Sequence, residues 1–206
     1  VVERIRERIQ RVCDDLLDAA VENGGMDLVR GFALPVPLTI IGDLLGVPQR
    51  DRSAFGVRAQ WVAAGGSGAL LDFPRGLAGM WLSGRYLRKL VALRRAEPGE
   101  DLVTALIRAE EAGDRLSENE LISMIGLLLL AGYETTVGLI ASGALALIQH
   151  PPQRDLLRSD PAVVQPAIEE LLRYTSPADF APPRVAREDV MLAGICIPRG
   201  ALALAA

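Results

Sequence analysis

The stretch from residue 118 to residue 149 is the feature that most limits what this chain can fold into. Ser117 and Glu120 stand at capping-box spacing at its start, and His150-Pro151-Pro152 ends it. Beyond the first turn, Glu134 is its only charged residue. At about 1.5 Å per residue such a helix is about 48 Å long, enough to cross a whole domain. The sequence therefore predicts a helical core around one long central helix.

The same stretch is also apolar and long enough for a transmembrane span. Glu134 opposes that interpretation, because a charged residue at the centre of a span costs about 2.5–3.5 kcal/mol on insertion scales. The other predicted helices are amphipathic, and few Lys or Arg residues flank the stretch. We expect a buried central helix and keep a membrane protein built around residues 118–149 as an alternative.

Apolar periodicity and helix-ending residues divide the rest of the chain. Further helices are predicted at 1–22, 38–45, 51–64, 74–96, 101–111, 154–157 and 167–174. Residues 26–37 are expected to be extended, and residues 65–68 to be a flexible break. Short β-type runs at 190–192 and 194–197 predict a small hairpin. The fold class is therefore mainly α with a small C-terminal β-hairpin.

Composition narrows the function classes. The chain has 206 residues and a net charge of −4, which argues against a nucleic-acid or anionic-membrane surface. Its two cysteines, Cys13 and Cys196, are far apart, so a cytoplasmic protein fits better than a disulfide scaffold. The single histidine, His150, excludes a His-rich metal site. The chain starts within a helical pattern without an initiator methionine, and we expect a segment of a longer protein.

Glu134 and Thr135 place a carboxylate beside a hydroxyl in an otherwise apolar helix. A lone carboxylate buried there costs several kcal/mol unless it is paired or its pKa shifts, which suggests a functional use. The small Ala131-Gly132 pair just before it weakens the helix, so the backbone can open or a flat ligand can approach.

Other candidate groups carry weaker signals. Glu170 and Arg173 are three residues apart on one helix face, which alone indicates a routine surface ion pair. Cys196 is expected to be a small buried strand residue. Cys13 stands beside two aspartates, which raise the pKa of a thiol instead of activating it.

The order of these pieces is more specific than any one of them. It runs through Ala131-Gly132, Glu134-Thr135, Glu170-x-x-Arg173, Tyr174-Thr-Ser-Pro177, Arg184, Gly194 and Ile197-Pro198-x-Gly200. In this order the chain resembles the cytochrome P450 family of haem-thiolate monooxygenases, most closely its soluble bacterial members. The resemblance covers nearly the whole chain, and it implies that residues 1–206 are part of a cytochrome P450 domain truncated at both ends.

The resemblance implies roles for residues of the central helix. Ala131 and Gly132 match the kinked segment over the distal face of the haem. Glu134 and Thr135 match the acid–alcohol pair that delivers protons to the dioxygen that haem activates. A carboxylate and a hydroxyl able to donate and accept suit that task.

The resemblance also assigns residues downstream. Glu170 and Arg173 match a buried ion pair that holds the haem-side core, which is a structural role. Arg184 matches the arginine whose guanidinium meets a haem propionate. The family's iron ligand is a cysteine in a Gly-rich, Phe-containing loop, a context that neither Cys13 nor Cys196 has, so no metal ligand is expected within this chain.

For the full-length protein the resemblance implies a haem b iron enzyme of bacterial secondary metabolism that hydroxylates or epoxidises a hydrophobic small molecule. Dioxygen would be the oxidant, with electrons from NAD(P)H through a ferredoxin and its reductase. Residues 61–81, 127–131 and 177–181 are expected to line the substrate site, which suits a polyketide, terpene or steroid. The alternative is a non-catalytic remnant or helical binding protein, because the cysteine loop is absent, and the fragment alone is expected to be inactive.

Overall fold

The computed structural model describes residues 2–65, 73–111, 117–178 and 184–203. Over these residues the chain forms eight α-helices and four short strands. The helices are α1 (Val2–Glu22), α2 (Pro35–Leu44), α3 (Arg52–Gly65), α4 (Phe73–Ala96), α5 (Leu102–Glu111), α6 (Glu118–Gln149), α7 (Pro151–Ser159) and α8 (Val164–Thr175); the strands are β1 (Arg184–Val185), β2 (Val190–Leu192), β3 (Ile195–Ile197) and β4 (Leu202–Ala203). Two compact units are present, residues 1–141 and 142–206, and their boundary falls within α6.

The core of the first unit is apolar and is built from α2 to α6. One face of α6 contributes Leu121, Ile125, Leu129 and Tyr133, which are spaced by one helical turn and are all buried. Full burial of a large apolar side chain contributes roughly 1.5–3 kcal/mol. The long helix is therefore held in this unit through one stripe, and its remaining faces are available for other contacts.

Local capping sets the helix ends that the sequence predicts. The backbone N–H of Ser117 donates to the Glu120 carboxylate at 2.7 Å, and the Glu120 N–H donates to Ser117 Oγ at 3.4 Å, as a capping box requires. Ser117 Oγ also donates to the Glu120 carboxylate at 2.7 Å, and this bond, followed by the one from the Ser117 N–H, lowers the pKa of Glu120. The Thr104 N–H donates to Asp101 Oδ1 at 2.8 Å, so Asp101 caps α5.

The expected extended segment at 26–37 is wrong. Val29–Ala33 forms a π-helical turn, and α2 begins at Pro35. Asp27 starts this helical stretch, because its Oδ1 accepts from the backbone N–H groups of Val29 and Arg30 at 3.0 Å each. Proline is tolerated in the first turn of a helix, where its missing N–H would have no partner.

Two other expectations also need correction or completion. The helix predicted at 167–174 begins earlier, at Val164, after a short 3₁₀ turn in which Asp160 accepts from the Ala162 N–H at 2.9 Å. The flexible break expected at 65–68 lies outside the described residues except for Gly65, which ends α3.

A buried ion pair connects three elements of the first unit. The Arg94 guanidinium pairs with Asp101 and also donates to the carbonyl of Gly46, just after α2. Gly46 has a φ of +67°, and a Cβ there would collide with the Asp101 carboxylate. Glycine is therefore required at this turn, both for its backbone conformation and for the close approach.

The second unit contains the predicted hairpin. β2 and β3 pair antiparallel with Val190 opposite Ile197, and the connecting residues Ala193 and Gly194 both have positive φ, as a tight hairpin turn requires. Cys196 is exposed in β3, so the expectation of a buried strand residue is wrong. A second antiparallel pair, β1 with β4, is only two residues long on each side and was not predicted.

Candidate functional site

The segment of α6 that carries the acid–alcohol pair is anchored by Tyr133. This side chain is 2% exposed, and its hydroxyl donates to the carbonyl of Ala59 in α3 at 2.8 Å. Burial raises the pKa of Tyr133 to about 12, and the charge of Glu134 adds to the increase. The phenol therefore stays protonated at physiological pH and holds α6 against α3 at this point.

Glu134 is exposed, so the expectation of a carboxylate buried among apolar groups is wrong for the described chain. The reason is the angle of about 100° between successive residues of a helix. Because Tyr133 points into the core, the next side chain turns away from it. The carboxylate of Glu134 is solvated and needs no buried partner.

The two threonines that follow Glu134 bond back to their own helix. Thr135 Oγ1 donates to the carbonyl of Ala131 at 3.0 Å, and Thr136 Oγ1 donates to that of Gly132 at 3.5 Å. Thr135 thereby keeps its lone pairs free to accept. The helix continues through this segment without an interruption, so the opening that the Ala-Gly pair suggested is not seen.

Ala131 and Gly132 are both exposed, as an approach by a flat ligand would require. Gly132 has a second role that the sequence did not reveal. A Cβ there would lie 3.0 Å from Cδ1 of Ile41, so its small size also lets α2 pack closely against α6. The need for a small residue at position 132 arises from Ile41, which is distant in sequence.

A cavity of about 310 Å³ lies between α3, α4 and α6. Its walls are Ala59, Val62, Met80, Ser83, Gly84, Leu87, Ile122, Ser123, Gly126, Leu127, Leu129 and Leu130. Val62, Met80 and the leucines of α6 fall within the predicted lining ranges, whereas Trp61 and Trp81 do not line it. The contribution of Ser83, Gly84 and Leu87 was missed, although their spacing from Met80 indicates one face of α4. Residues 179–181 of the third predicted range lie outside the described residues.

Glu170 and Arg173 form the predicted ion pair in the second unit. The guanidinium makes two hydrogen bonds to the carboxylate, at 2.6 and 2.8 Å, and these lower the pKa of Glu170. The side chains are 61% and 70% exposed in the described chain, as the spacing alone indicated, and the buried role that the family resemblance implies for the full-length protein stays a prediction. Glu170 stands beside a groove of about 450 Å³ between the end of α6, α7 and α8, where the rings of His150 and Tyr174 meet edge to face.

The remaining candidates are Arg184 in the second unit and Cys13 in the first. Arg184 is exposed in β1, opposite Ala203. Burial, and next the charge of Asp14, raise the pKa of the Cys13 thiol, which disfavours a thiolate. Among the described residues no group of three or more His, Cys, Asp or Glu side chains could hold a metal ion.

Comparisons with known proteins agree on one family. A family model for cytochrome P450 matches residues 87–205, more than half of the chain. The chain is 42% identical over 206 residues to the cytochrome P450 monooxygenase PikC of Streptomyces venezuelae, covering 97% of this chain and 47% of that protein. It is 40% identical over 204 residues to the vitamin D(3) 25-hydroxylase of Pseudonocardia autotrophica, covering 98% and 48%.

A solved structure shows the same fold. The bacillaene polyketide synthase cytochrome P450 PksS of Bacillus subtilis is similar with a TM-score of 0.89 and 37% identity, covering 98% of this chain and 52% of that one. The predicted mainly helical fold and the family resemblance are confirmed. The chain spans about half the length of the curated relatives it matches.

The membrane alternative rests on α6 alone. Among the described residues this one helix is apolar and long enough to cross a bilayer, by length and composition. PksS shares the fold over 98% of this chain, so α6 is a helix of the cytochrome P450 fold.

Proposed function

Because the chain belongs to the cytochrome P450 family, we propose that it is part of a monooxygenase that hydroxylates or epoxidises a hydrophobic small molecule. The complete protein would use dioxygen and electrons from NAD(P)H, delivered by a ferredoxin and its reductase in the cytoplasm. Two of its relatives are named as a monooxygenase and a hydroxylase, which supports this reaction class.

The observation that carries the proposal is the arrangement along one side of α6. Glu134 and Thr135 follow the exposed, small Ala131 by about one turn, and Leu127, one turn earlier, is a wall of the apolar cavity. An acid, a hydroxyl, an open surface and an apolar cavity therefore follow one another within two turns. This combination suits the delivery of protons beside a hydrophobic substrate.

The residues present on α6 fit one face of a haem. Leu127 is 62% exposed and Ala131 is exposed, so a flat group can lie against them. Bound haem supplies the redox chemistry that activates dioxygen. Thr135 would hold and pass a proton at Oγ1, and Glu134 would exchange protons with solvent. Arg184 keeps the propionate-binding role that the family resemblance implies.

The cysteines of the described chain do not fit the role of iron ligand. Cys13 has a raised pKa, and Cys196 lies in a short strand and not in a loop. We therefore assign the thiolate to neither of them. Glu170 and Arg173 would keep the structural role that the family resemblance implies.

The proposed substrate is hydrophobic and of the size of a polyketide, terpene or steroid. The cavity between α3, α4 and α6 has no charged side chain among its lining residues. One relative is named for vitamin D(3), and the similar solved structure is named for a polyketide synthase. These names support the compound class and leave the individual substrate open.

Replacing Thr135 with alanine in the complete protein tests the proton-delivery role, and Thr136→Ala is its matched control. Both threonines lie on α6 and bond to their own helix, so each variant loses the same kind of hydroxyl. Thr135→Ala should leave haem binding intact, divert electrons to hydrogen peroxide and lower the rate of product formation about 10²–10⁴-fold. Thr136→Ala should keep the ratio of product formed to NAD(P)H consumed. An unchanged ratio in Thr135→Ala would contradict the proposal.

The isolated 206-residue chain is proposed to be catalytically silent and poorly soluble. On α6, Leu127, Leu145 and Ile148 are each more than half exposed, which leaves apolar surface in water. The test is to add haem to this chain, reduce it and record the difference spectrum with carbon monoxide. A thiolate-type Soret band that disappears in Cys196→Ser would contradict this and identify Cys196 as a ligand.

A further inference from the structure

A second cleft of the first unit, of about 320 Å³, lies between the turn before α3, α3 itself and the C-terminal half of α4. Its polar walls are Arg50, Asp51, Arg58, Tyr86 and Lys89. None of its described lining residues belongs to the cavity between α3, α4 and α6. Three of the walls are cations and one is a carboxylate, so the cleft has a net charge of +2, although the whole chain has a net charge of −4.

The carboxylate of the cleft, Asp51, already has partners. The Tyr86 hydroxyl donates to Asp51 Oδ2 at 3.3 Å, and Arg50 Nε lies 4.0 Å from Asp51 Oδ1. Burial, and next the charge of Asp51, raise the pKa of Tyr86 to about 12, so the phenol stays protonated and adds no negative charge. Asp51 therefore offsets one cation of the cleft, and the charges of the other two remain.

Arg58 and Lys89 are the cations without a carboxylate. Arg58 is half-buried, its guanidinium carbon lies 5.1 Å from the centre of the Tyr86 ring, and its Nη1 is enclosed without a hydrogen bond. Among the described residues no carboxylate forms an ion pair with Arg58 or Lys89. A charge that has lost part of its hydration is costly unless an opposite charge is near it. The two cations therefore favour an anion in the cleft.

The charge and the donors of the cleft specify the kind of anion. A phosphate monoester has a second pKa of about 6, so above neutral pH its charge approaches about −2 and matches the cleft. Arginine and lysine are the side chains that commonly bind phosphate oxygens. Leu90 and Leu93 line the cleft on the α4 side and offer an apolar surface to the organic part of such a ligand.

We propose that this cleft is a binding site for a small phosphate monoester with an apolar body. Arg50 and Lys89 are exposed and donate to the phosphate oxygens, whereas Arg58 attracts the phosphate from the wall through its charge. The apolar body lies against Leu93. The site goes beyond the proposed function and does not depend on it, because no group of the acid–alcohol segment or of the substrate cavity takes part.

Isothermal titration calorimetry of the complete protein with phenyl phosphate, at about pH 8, tests the proposal. One saturable site is expected, and it should bind phenyl phosphate more tightly than phenyl sulfate, which carries a single charge, or inorganic phosphate, which has no apolar body. Arg58→Gln and Lys89→Gln should each weaken binding about 5- to 50-fold, as expected when a charged contact to an anion is lost. Lys89 is exposed, so its replacement tests the site even if Arg58→Gln does not fold.

Asp51→Asn separates a binding site from a structural charge cluster. It removes the like charge that repels the phosphate and leaves an oxygen that can still accept from Tyr86. Phenyl phosphate should then bind about 2- to 10-fold more tightly. A purely structural role for the cluster predicts no such gain, and weaker binding in Asp51→Asn would overturn the proposal.

Arg88→Gln is the matched control, because this arginine is exposed beside Lys89 on α4 and is not part of the cleft wall. It should leave the affinity for phenyl phosphate unchanged. Equal losses in Arg88→Gln and Lys89→Gln would show only diffuse attraction and overturn the proposal. So would equal affinities for phenyl phosphate and inorganic phosphate, or no saturable binding by the wild type.

A lipid headgroup offers the same phosphate chemistry, and sedimentation with vesicles that contain phosphatidic acid distinguishes it from a free ligand. We expect no sedimentation of the protein with these vesicles. Sedimentation with the vesicles without binding of phenyl phosphate would overturn the assignment to a small phosphate monoester.

Discussion

Replacing Gly79 with alanine tests how closely α4 approaches α3 beside the cavity, and Gly84→Ala is its internal control. Both glycines lie within α4, so in each case alanine favours the helix by roughly 0.5–1 kcal/mol over glycine. That gain cancels when the two variants are compared. The difference between them then reports the steric environment of the new methyl group.

The structure predicts opposite outcomes for the two positions. At Gly79 the methyl would lie 2.8 Å from Trp61 Cβ and 2.9 Å from the nitrogen of Val62, which is backbone and cannot rotate away. Overpacking of this kind costs about 1–3 kcal/mol. At Gly84 the closest atom is the flexible end of Arg88 at 3.9 Å, so no steric cost is expected. Gly84→Ala should therefore be more stable than Gly79→Ala by about 1–3 kcal/mol.

Urea unfolding of the complete protein, followed by far-ultraviolet circular dichroism, measures this difference from the midpoints when the slopes agree. Equal midpoints for the two variants would refute the close α3–α4 contact. A Gly84→Ala variant less stable than the wild type would refute the open space at Gly84.

Three further predictions concern single contacts. Tyr133→Phe should lower the free energy of unfolding by about 1 kcal/mol, because it removes only the hydrogen bond to α3, and an unchanged urea midpoint would disprove that contribution. Arg94→Ala should lower the free energy of unfolding by about 3 kcal/mol, because the Asp101 carboxylate, which is 7% exposed, loses its cation. A decrease of less than half this value, measured by thermal unfolding, would contradict the prediction. The lowered pKa of Glu120 means that its capping bonds stabilise the folded chain above the ordinary glutamate pKa and are lost as pH falls through the lowered value. Carboxyl titration by NMR should show this shift, and Ser117→Ala should reduce it without abolishing it, because the backbone N–H of residue 117 still donates to the carboxylate.

Helix and hairpin boundaries could be predicted from the sequence because local bonds set them. Three such features are the Ser117–Glu120 capping box, the Asp101 cap and the Ala193-Gly194 turn. Each is formed by residues within three or four positions of one another, so the sequence pattern alone indicates it. The extended segment at 26–37 was wrong for the same reason. A single side chain, Asp27, starts a helical stretch before two prolines that were interpreted as breaks.

Burial, by contrast, depends on elements far away in the chain. The order of motifs was sufficient to predict the cytochrome P450 family, yet it did not reveal that Glu134 is exposed to solvent. A sequence motif specifies which side chains are present. The exposure of those side chains depends on which other elements of the fold pack against each face of the helix.

What the sequence by itself determined is therefore the set of helices, the hairpin, the family and the location of the acid–alcohol pair on the longest helix. Only the tertiary structure decided that Tyr133 anchors that helix to the carbonyl of Ala59, 74 residues away, and that an apolar cavity lies between α3, α4 and α6. The physical reason is the sequence separation between the residues that interact. Capping and periodicity act within a few residues, whereas the cavity exists only where α3, α4 and α6, which are distant in sequence, come together.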